Sequence, residues 1–202
     1  MSVAVATCPR CEAELELPYL CEGCGELLRD PPGGLNAFER FGLPVRYELE
    51  REELEARYLR LSRRLHPDKQ IGKPAARQSR ALILSSALNE AYSLLRDPRQ
   101  RAEHLLVSSG GKTADQDKST PAAFLMEQME LREELEAAQA KQDSAALANF
   151  SERAQREQGA CYEALKGIFA DPAFPTDALL KQAREQLNVL KYWLTFAKDL
   201  AK

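Results

Sequence analysis

The sequence predicts an all-α protein, a helical hairpin followed by a three-helix bundle, with a small cysteine knuckle in front. Three observations carry this. Apolar residues recur at helical spacing through most of the chain after residue 35. No strand-like alternation of useful length appears outside the knuckle. Four of the five cysteines crowd into residues 8–24 as two Cys-x-x-Cys pairs.

Punctuation divides the chain. The breaker run Asp30, Pro31, Pro32, Gly33, Gly34 closes a knuckle at 1–30 and forms a linker at 31–35. A helical section follows at 36–107. Leu54, Tyr58, Leu61 and Leu65 lie at i, i+4, i+7, i+11, and Leu84, Leu88, Ala91 and Leu95 repeat the pattern after a gap at 66–74. Two such helices pack as an antiparallel hairpin, Ala37 to Phe41 adds a short third helix, and Pro98 ends the hairpin. A Gly-, Lys-, Asp- and Thr-bearing linker at 108–119 leads to the last section, 120–202. Three coiled-coil-like stripes run there: Phe124, Gln128, Leu131, Leu135, Ala138; then Leu147, Phe150, Ala154, Cys161, Leu165, Ile168; then Ala183, Leu187, Leu190, Leu194, Ala197. Thr120 followed by Pro121 reads as an N-cap with proline at the first helical position.

Bulk properties exclude several functions. A formal charge of -3 argues against a general nucleic-acid or anionic-membrane binder, and no stretch approaches the roughly 20 apolar residues of a membrane span. The start, Met1 to Thr7, is too short for a secretory signal, so a soluble protein of the bacterial cytoplasm is expected. The mitochondrial matrix is the alternative if a transit segment precedes this chain. An enzyme is not expected. His66 and His104 are the only histidines, and the sequence holds no glycine-rich phosphate loop, nucleophile elbow or carboxylate pair on a recognisable scaffold.

Cys8, Cys11, Cys21 and Cys24 form two pairs with nine residues between them, the spacing of a closed tetrahedral site. Structural zinc is the expected occupant, with iron or a redox dithiol as alternatives. About 30 residues cannot bury much core, so metal would supply most of the knuckle's folding energy. A zinc-ribbon nucleic-acid adaptor is disfavoured, because residues 8–24 set Arg10 against Glu12, Glu14, Glu16 and Glu22. Cys161 lies on an apolar stripe and reads as a buried thiol.

Two further features suggest partner surfaces of opposite charge. His66-Pro67-Asp68 would by itself be an ordinary turn, but it ends a helix with Arg60 and Arg63 opposite its apolar stripe and Arg57 and Arg64 flanking. From Arg57 to Lys73 there are six Lys or Arg against one Asp, a field that attracts an acidic surface. In the helix from Phe124 to Ala138, Leu125, Met126 and Met129 fall roughly opposite the core stripe, beside Glu130 and Glu133. Residues 127–136 hold five Glu and one Arg. Tyr192 sits opposite the last helix's stripe and extends this patch. An exposed apolar face with an acidic margin is a form of partner site, the alternative being that Leu125 and Met129 pack on the hairpin.

Six segments, Phe38 to Pro44 (FERFGLP), His66 to Lys69 (HPDK), Ser86 to Tyr92 (SALNEAY), Leu95 to Pro98 (LRDP), Arg101 to Leu106 (RAEHLL) and Phe124 to Leu135 (FLMEQMELREEL), closely resemble the HscB family. These are J-domain co-chaperones of iron-sulphur cluster assembly. The resemblance covers most of 36–200 and makes 36–107 a J-domain and 120–202 a client-binding bundle. It implies that His66, Pro67, Asp68 and Lys69, with Arg57, Arg60, Arg63 and Arg64, dock on a DnaK/HscA-type chaperone and stimulate its ATPase. It further implies that Leu125, Met126, Met129, Glu130, Glu133 and Tyr192 hold the IscU-type scaffold protein. A J-protein serving a different client is the alternative. The chain departs from the pattern at Tyr192, where phenylalanine is usual, at Ala137, where an acidic residue is expected, and at Gln70, which replaces an aromatic and should loosen the loop.

Overall fold

The computed structural model describes residues 7–201; the first six residues of the knuckle section and Lys202 of the last section lie outside them. The described residues fold into six α-helices with three isolated β-bridges, Thr7 to Glu14, Leu17 to Leu20 and Leu20 to Leu27, and no extended strand. No described helix is long and apolar enough to cross a membrane. Two compact units divide at Asp97 and Pro98.

The first unit holds the knuckle and the hairpin. Helix α1 spans Arg51–Leu65 and α2 Ala75–Arg96. Glu52 and Glu53 in the first turn of α1, with Arg63 and Arg64 in its last, oppose the helix dipole with the favourable sign at each end. Leu54, Leu61 and Leu65 are buried, as are Leu84, Leu88, Ala91 and Leu95 across from them. Tyr58 stacks on Tyr92 with ring centroids 4.0 Å apart. Where a short helix was expected at Ala37 to Phe41, a single 3-10 turn forms over Glu39–Phe41. Gly42 ends it, at φ 63° with its N–H on the Glu39 carbonyl, a left-handed conformation that a side chain would strain.

The knuckle shares this unit's core. Leu17, Tyr19, Leu20 and Leu27 are fully buried, and the Tyr19 hydroxyl donates to the Arg40 carbonyl at 2.5 Å. Arg40, itself buried, returns a two-pronged ion pair to Asp30, at 2.7 and 3.3 Å. The knuckle therefore does not rest on its thiols alone: contacts with the hairpin section would add to whatever a bound ion contributes.

The second unit comprises α3 (Pro98–Ser108), α4 (Ala122–Ala140), α5 (Ser144–Ala170) and α6 (Asp177–Leu200). The α5–α6 interface is the most extensive; α4 packs on both, and α3 lies against α5 and α6. Asp143 caps α5 through the Ala146 amide, and Thr176 caps α6 through that of Leu179. The expected cap at Thr120 does not form. Pro121 is the N-cap, extended at ψ 133°, and Thr120 donates to the Lys118 carbonyl instead. In α6 the core face drifts by one residue after Leu190, so Trp193 and Phe196 are buried where Leu194 and Ala197 were expected. The two aromatics fill that end of the core edge to face, together with Phe124 and Phe150.

Two buried polar residues of α6 organise the loop after α3. Arg184 pairs with Glu103 of α3 at 2.6 and 2.9 Å and donates to the Lys112 carbonyl. Asn188 donates to the carbonyls of Asp117 and Ser119. Gly111 closes the turn by donating to Leu106 O; a Cβ there would stand 2.2 Å from the Leu106 side chain, so only glycine fits.

Candidate functional site

At the end of α1 the chain must turn, because Pro67 disfavours helical backbone at His66. His66 adopts ψ 129°, and Pro67 opens a 3-10 turn over Pro67–Gln70. His66 Nδ1 accepts from the Asp68 amide at 3.3 Å and lies 3.6 Å from the Asp68 carboxylate. With Nδ1 accepting, the ring proton belongs on Nε2. His66, Pro67, Asp68 and Lys69 are all exposed. Gln70 is the exception to the expected loosening. It is buried, donates to the Arg64 carbonyl and accepts from Arg77 Nε at 2.8 Å, so it pins the loop to both helices.

The arginines along α1 are not equally free. Arg57 is tied to Glu53 at 2.8 Å and to the Phe41 carbonyl at 2.9 Å. Arg60 pairs with the Glu22 carboxylate at 3.1 Å, and Arg64 donates to the Glu22 main-chain carbonyl at 3.2 Å. Arg63 is exposed and makes no hydrogen bond or ion pair to a described residue. The open basic field is thus narrower than the residue count along α1 implies. Its counter-charge, Glu22, comes from 38 residues earlier in the chain.

The knuckle brings its four sulphurs together. Cys8 and Cys24 Sγ lie 3.6 Å apart, Cys11 and Cys21 Sγ also 3.6 Å, and all four fall within 4.8 Å of one another. A tetrahedron with metal–sulphur bonds of about 2.3 Å has edges of about 3.8 Å, so the four thiols could hold one ion. The two loops share one hydrogen-bond pattern that the sequence conceals. Cys8 N donates to Ala13 O as Cys21 N does to Glu26 O, and Glu12 N to Cys8 O as Gly25 N to Cys21 O. Glu12 and Gly25 then occupy matching positions with positive φ. The amide of Cys24, with the neighbouring thiols adding, pulls the Cys21 thiol down to about 7. The Glu26 amide favours the Cys24 thiolate, yet burial and hydrogen bonding to the other three thiols push Cys24 up to about 12. Full ligation therefore expels protons that the cluster otherwise shares.

In the second unit, α4 turns Gln128, Leu131, Leu135 and Ala138 inward. Met126 and Met129 are 65% and 66% exposed, Glu130 and Glu133 are exposed, and Leu125 is half-buried. Tyr192 of α6 is brought to this region, its ring 5.7 Å from Phe124 in the first turn of α4. Glu127 is taken up by an ion pair with Arg153, whose guanidinium also lies over the Trp193 ring. Arg184 and Asn188, which hold the loop leading into α4, were not foreseen. Polar residues beside Ala183 and Leu187 on an apolar stripe were their only signal.

Comparison with known proteins covers the α1–α2 and α4–α6 regions by family model. The DnaJ domain matches residues 42–104, and the HSCB C-terminal oligomerisation domain matches 120–201. The co-chaperone protein HscB homolog of Pasteurella multocida (strain Pm70) is 35% identical over 168 residues, 82% of this chain and 92% of its own length. Chaperone HscB from Vibrio cholerae, a solved structure, superposes with a TM-score of 0.70 at 33% identity over 83% of this chain and 96% of its own. Human co-chaperone protein HscB shares the fold with a TM-score of 0.79 at 21% identity, over 97% of each chain.

Proposed function

Because this chain belongs to the HscB family of J-domain co-chaperones, we propose that it stimulates ATP hydrolysis by a DnaK/HscA-type chaperone and presents an IscU-type iron-sulphur scaffold protein to it. The observation that carries the reading is the exposed His66-Pro67-Asp68 turn, rigidly held by Gln70 at the end of the arginine-bearing α1. The chemistry belongs to the partner's nucleotide site; this chain supplies binding energy that shifts the chaperone's conformational equilibrium. Arg63 of α1 and Lys69 of the turn steer the encounter, and the turn presents His66 Nε2 and the Asp68 carboxylate as fixed polar contacts.

The client face is Met126 and Met129, with Leu125 and Tyr192 beside them and Glu130 and Glu133 as an acidic margin. Two exposed methionines give a deformable apolar surface, and the carboxylates select a partner with basic residues around an apolar anchor. Zinc is the metal we assign to Cys8, Cys11, Cys21 and Cys24. Four thiolates, with no further ligand grouped with them among the described residues, suit a structural ion, which would cross-link the two loops and offer no reactive position.

Single-turnover ATP hydrolysis by the chaperone, with and without the scaffold protein, tests the reading. Stimulation by this chain should rise further with scaffold present and vanish in His66→Gln while helical content is unchanged. Undiminished stimulation by His66→Gln would refute the docking role, and stimulation indifferent to scaffold would redirect the client face to another protein.

A further inference from the structure

The cysteine knuckle touches the same helix that the proposed docking uses. Its second loop places Glu22, between Cys21 and Gly23, against α1. There the carboxylate meets Arg60 at 3.1 and 3.4 Å, and the Glu22 carbonyl accepts from Arg64 at 3.2 Å. The loop is held in that position independently of Glu22. Arg77 donates to the Gly25 carbonyl at 2.7 Å, and Arg80 donates to the Leu27 carbonyl at 2.9 Å. Glu22 is therefore presented to α1 by a rigid support, and an acidic surface approaching α1 meets an arginine already satisfied by a carboxylate of this chain.

We propose that Glu22 is a specificity-determining residue of the docking helix. It withholds the Arg60 charge from weakly acidic surfaces, so that Arg63 and Lys69 make the first encounter and only a partner able to replace the Glu22 carboxylate engages Arg60. This rests on α1 being the chaperone-docking helix. It gives the knuckle a part in partner choice in addition to stability. The physical basis is competition: an ion pair that solvent still reaches, with 43% of the Arg60 and 26% of the Glu22 side chain exposed, is worth little and exchanges, so it weakens an incoming acidic contact without blocking it. Arg64 is held by main chain, which a side-chain substitution leaves in place, so Glu22→Gln releases Arg60 alone.

The test uses the full chain and two readouts. The first is the chaperone concentration that half-saturates stimulation in single-turnover ATPase. The second is anisotropy of a fluorescein-labelled peptide of ten glutamates, a probe of α1's accessible charge that needs no chaperone. Glu22→Gln should tighten both by roughly two- to fivefold at low salt, the effect fading as salt is raised. Glu16→Gln makes the same change of net charge on an exposed knuckle residue and should leave both near the original value. In an Arg60→Ala background the gain from Glu22→Gln should disappear. Equal or weaker binding by Glu22→Gln in both readouts overturns the inference, as does an equal gain from Glu16→Gln. If the peptide shows the gain while no variant stimulates the chaperone, Glu22's masking of α1 stands and the docking role fails.

Discussion

Arg184→Met probes the buried ion pair that joins α6 to α3. The guanidinium makes three contacts, 2.6 and 2.9 Å to the Glu103 carboxylate and 3.4 Å to the Lys112 carbonyl, from a side chain only 4% exposed. Methionine keeps the stem's length and packing but strands the carboxylate. Losing one partner of a buried pair costs about 3–5 kcal/mol. Glu103 keeps 28% of its side-chain exposure, so water recovers part of that, and about 2–3 kcal/mol is expected. Against a typical stability of about 5–15 kcal/mol, this is a large fraction. Trp193, the chain's one tryptophan, is buried in the same helix, so urea unfolding followed by its fluorescence reads this unit directly. The double variant Arg184→Met with Glu103→Leu removes both charges and should recover to within about 1 kcal/mol of the original. A single variant costing less than about 1 kcal/mol, or a double variant as unstable as the single, would refute the argument that a stranded charge is what destabilises.

Three other outcomes are expected. Met126→Ala with Met129→Ala removes exposed side chains, so stability by urea should move by less than about 0.5 kcal/mol. Scaffold affinity by calorimetry should fall about tenfold or more. Burial raises the Tyr19 hydroxyl above its ordinary value, against the opposing pull of Arg40, so the neutral phenol favours the folded state. The sign follows: this stability is whole below pH ~10 and declines above it by up to about 1.4 kcal/mol per pH unit. Alkaline unfolding of the first unit, read by near-ultraviolet tyrosine absorbance, should come later in Tyr19→Phe, which itself costs about 1 kcal/mol at neutral pH. Acidification should release metal to a chromogenic chelator as the four thiols take up protons, with Trp193 fluorescence undisturbed because the second unit holds no ligand.

Much of this protein is local and was readable as such. Helical period placed α1, α2 and α4 to α6, because core-facing side chains must recur at 3.6 residues. The exposure of Met126 and Met129 followed from the same rule, since a helix that buries Leu131 and Leu135 must turn those two away. The Cys-x-x-Cys pairs announced their cluster because a tight loop needs only neighbours in sequence. What depended on distant residues could not be read. Glu22 reaching Arg60, Gln70 bridging Arg64 and Arg77, and Arg184 holding Glu103 join positions 6 to 81 residues apart. Periodicity carries no information about which polar groups meet once helices pack. The sequence by itself determined α1, α2 and α4 to α6, the four-thiol cluster and the composition of the candidate surfaces, but not α3. Only the tertiary structure decided which of their charges stay free, because a charge is neutralised by whatever the fold brings within about 4 Å of it.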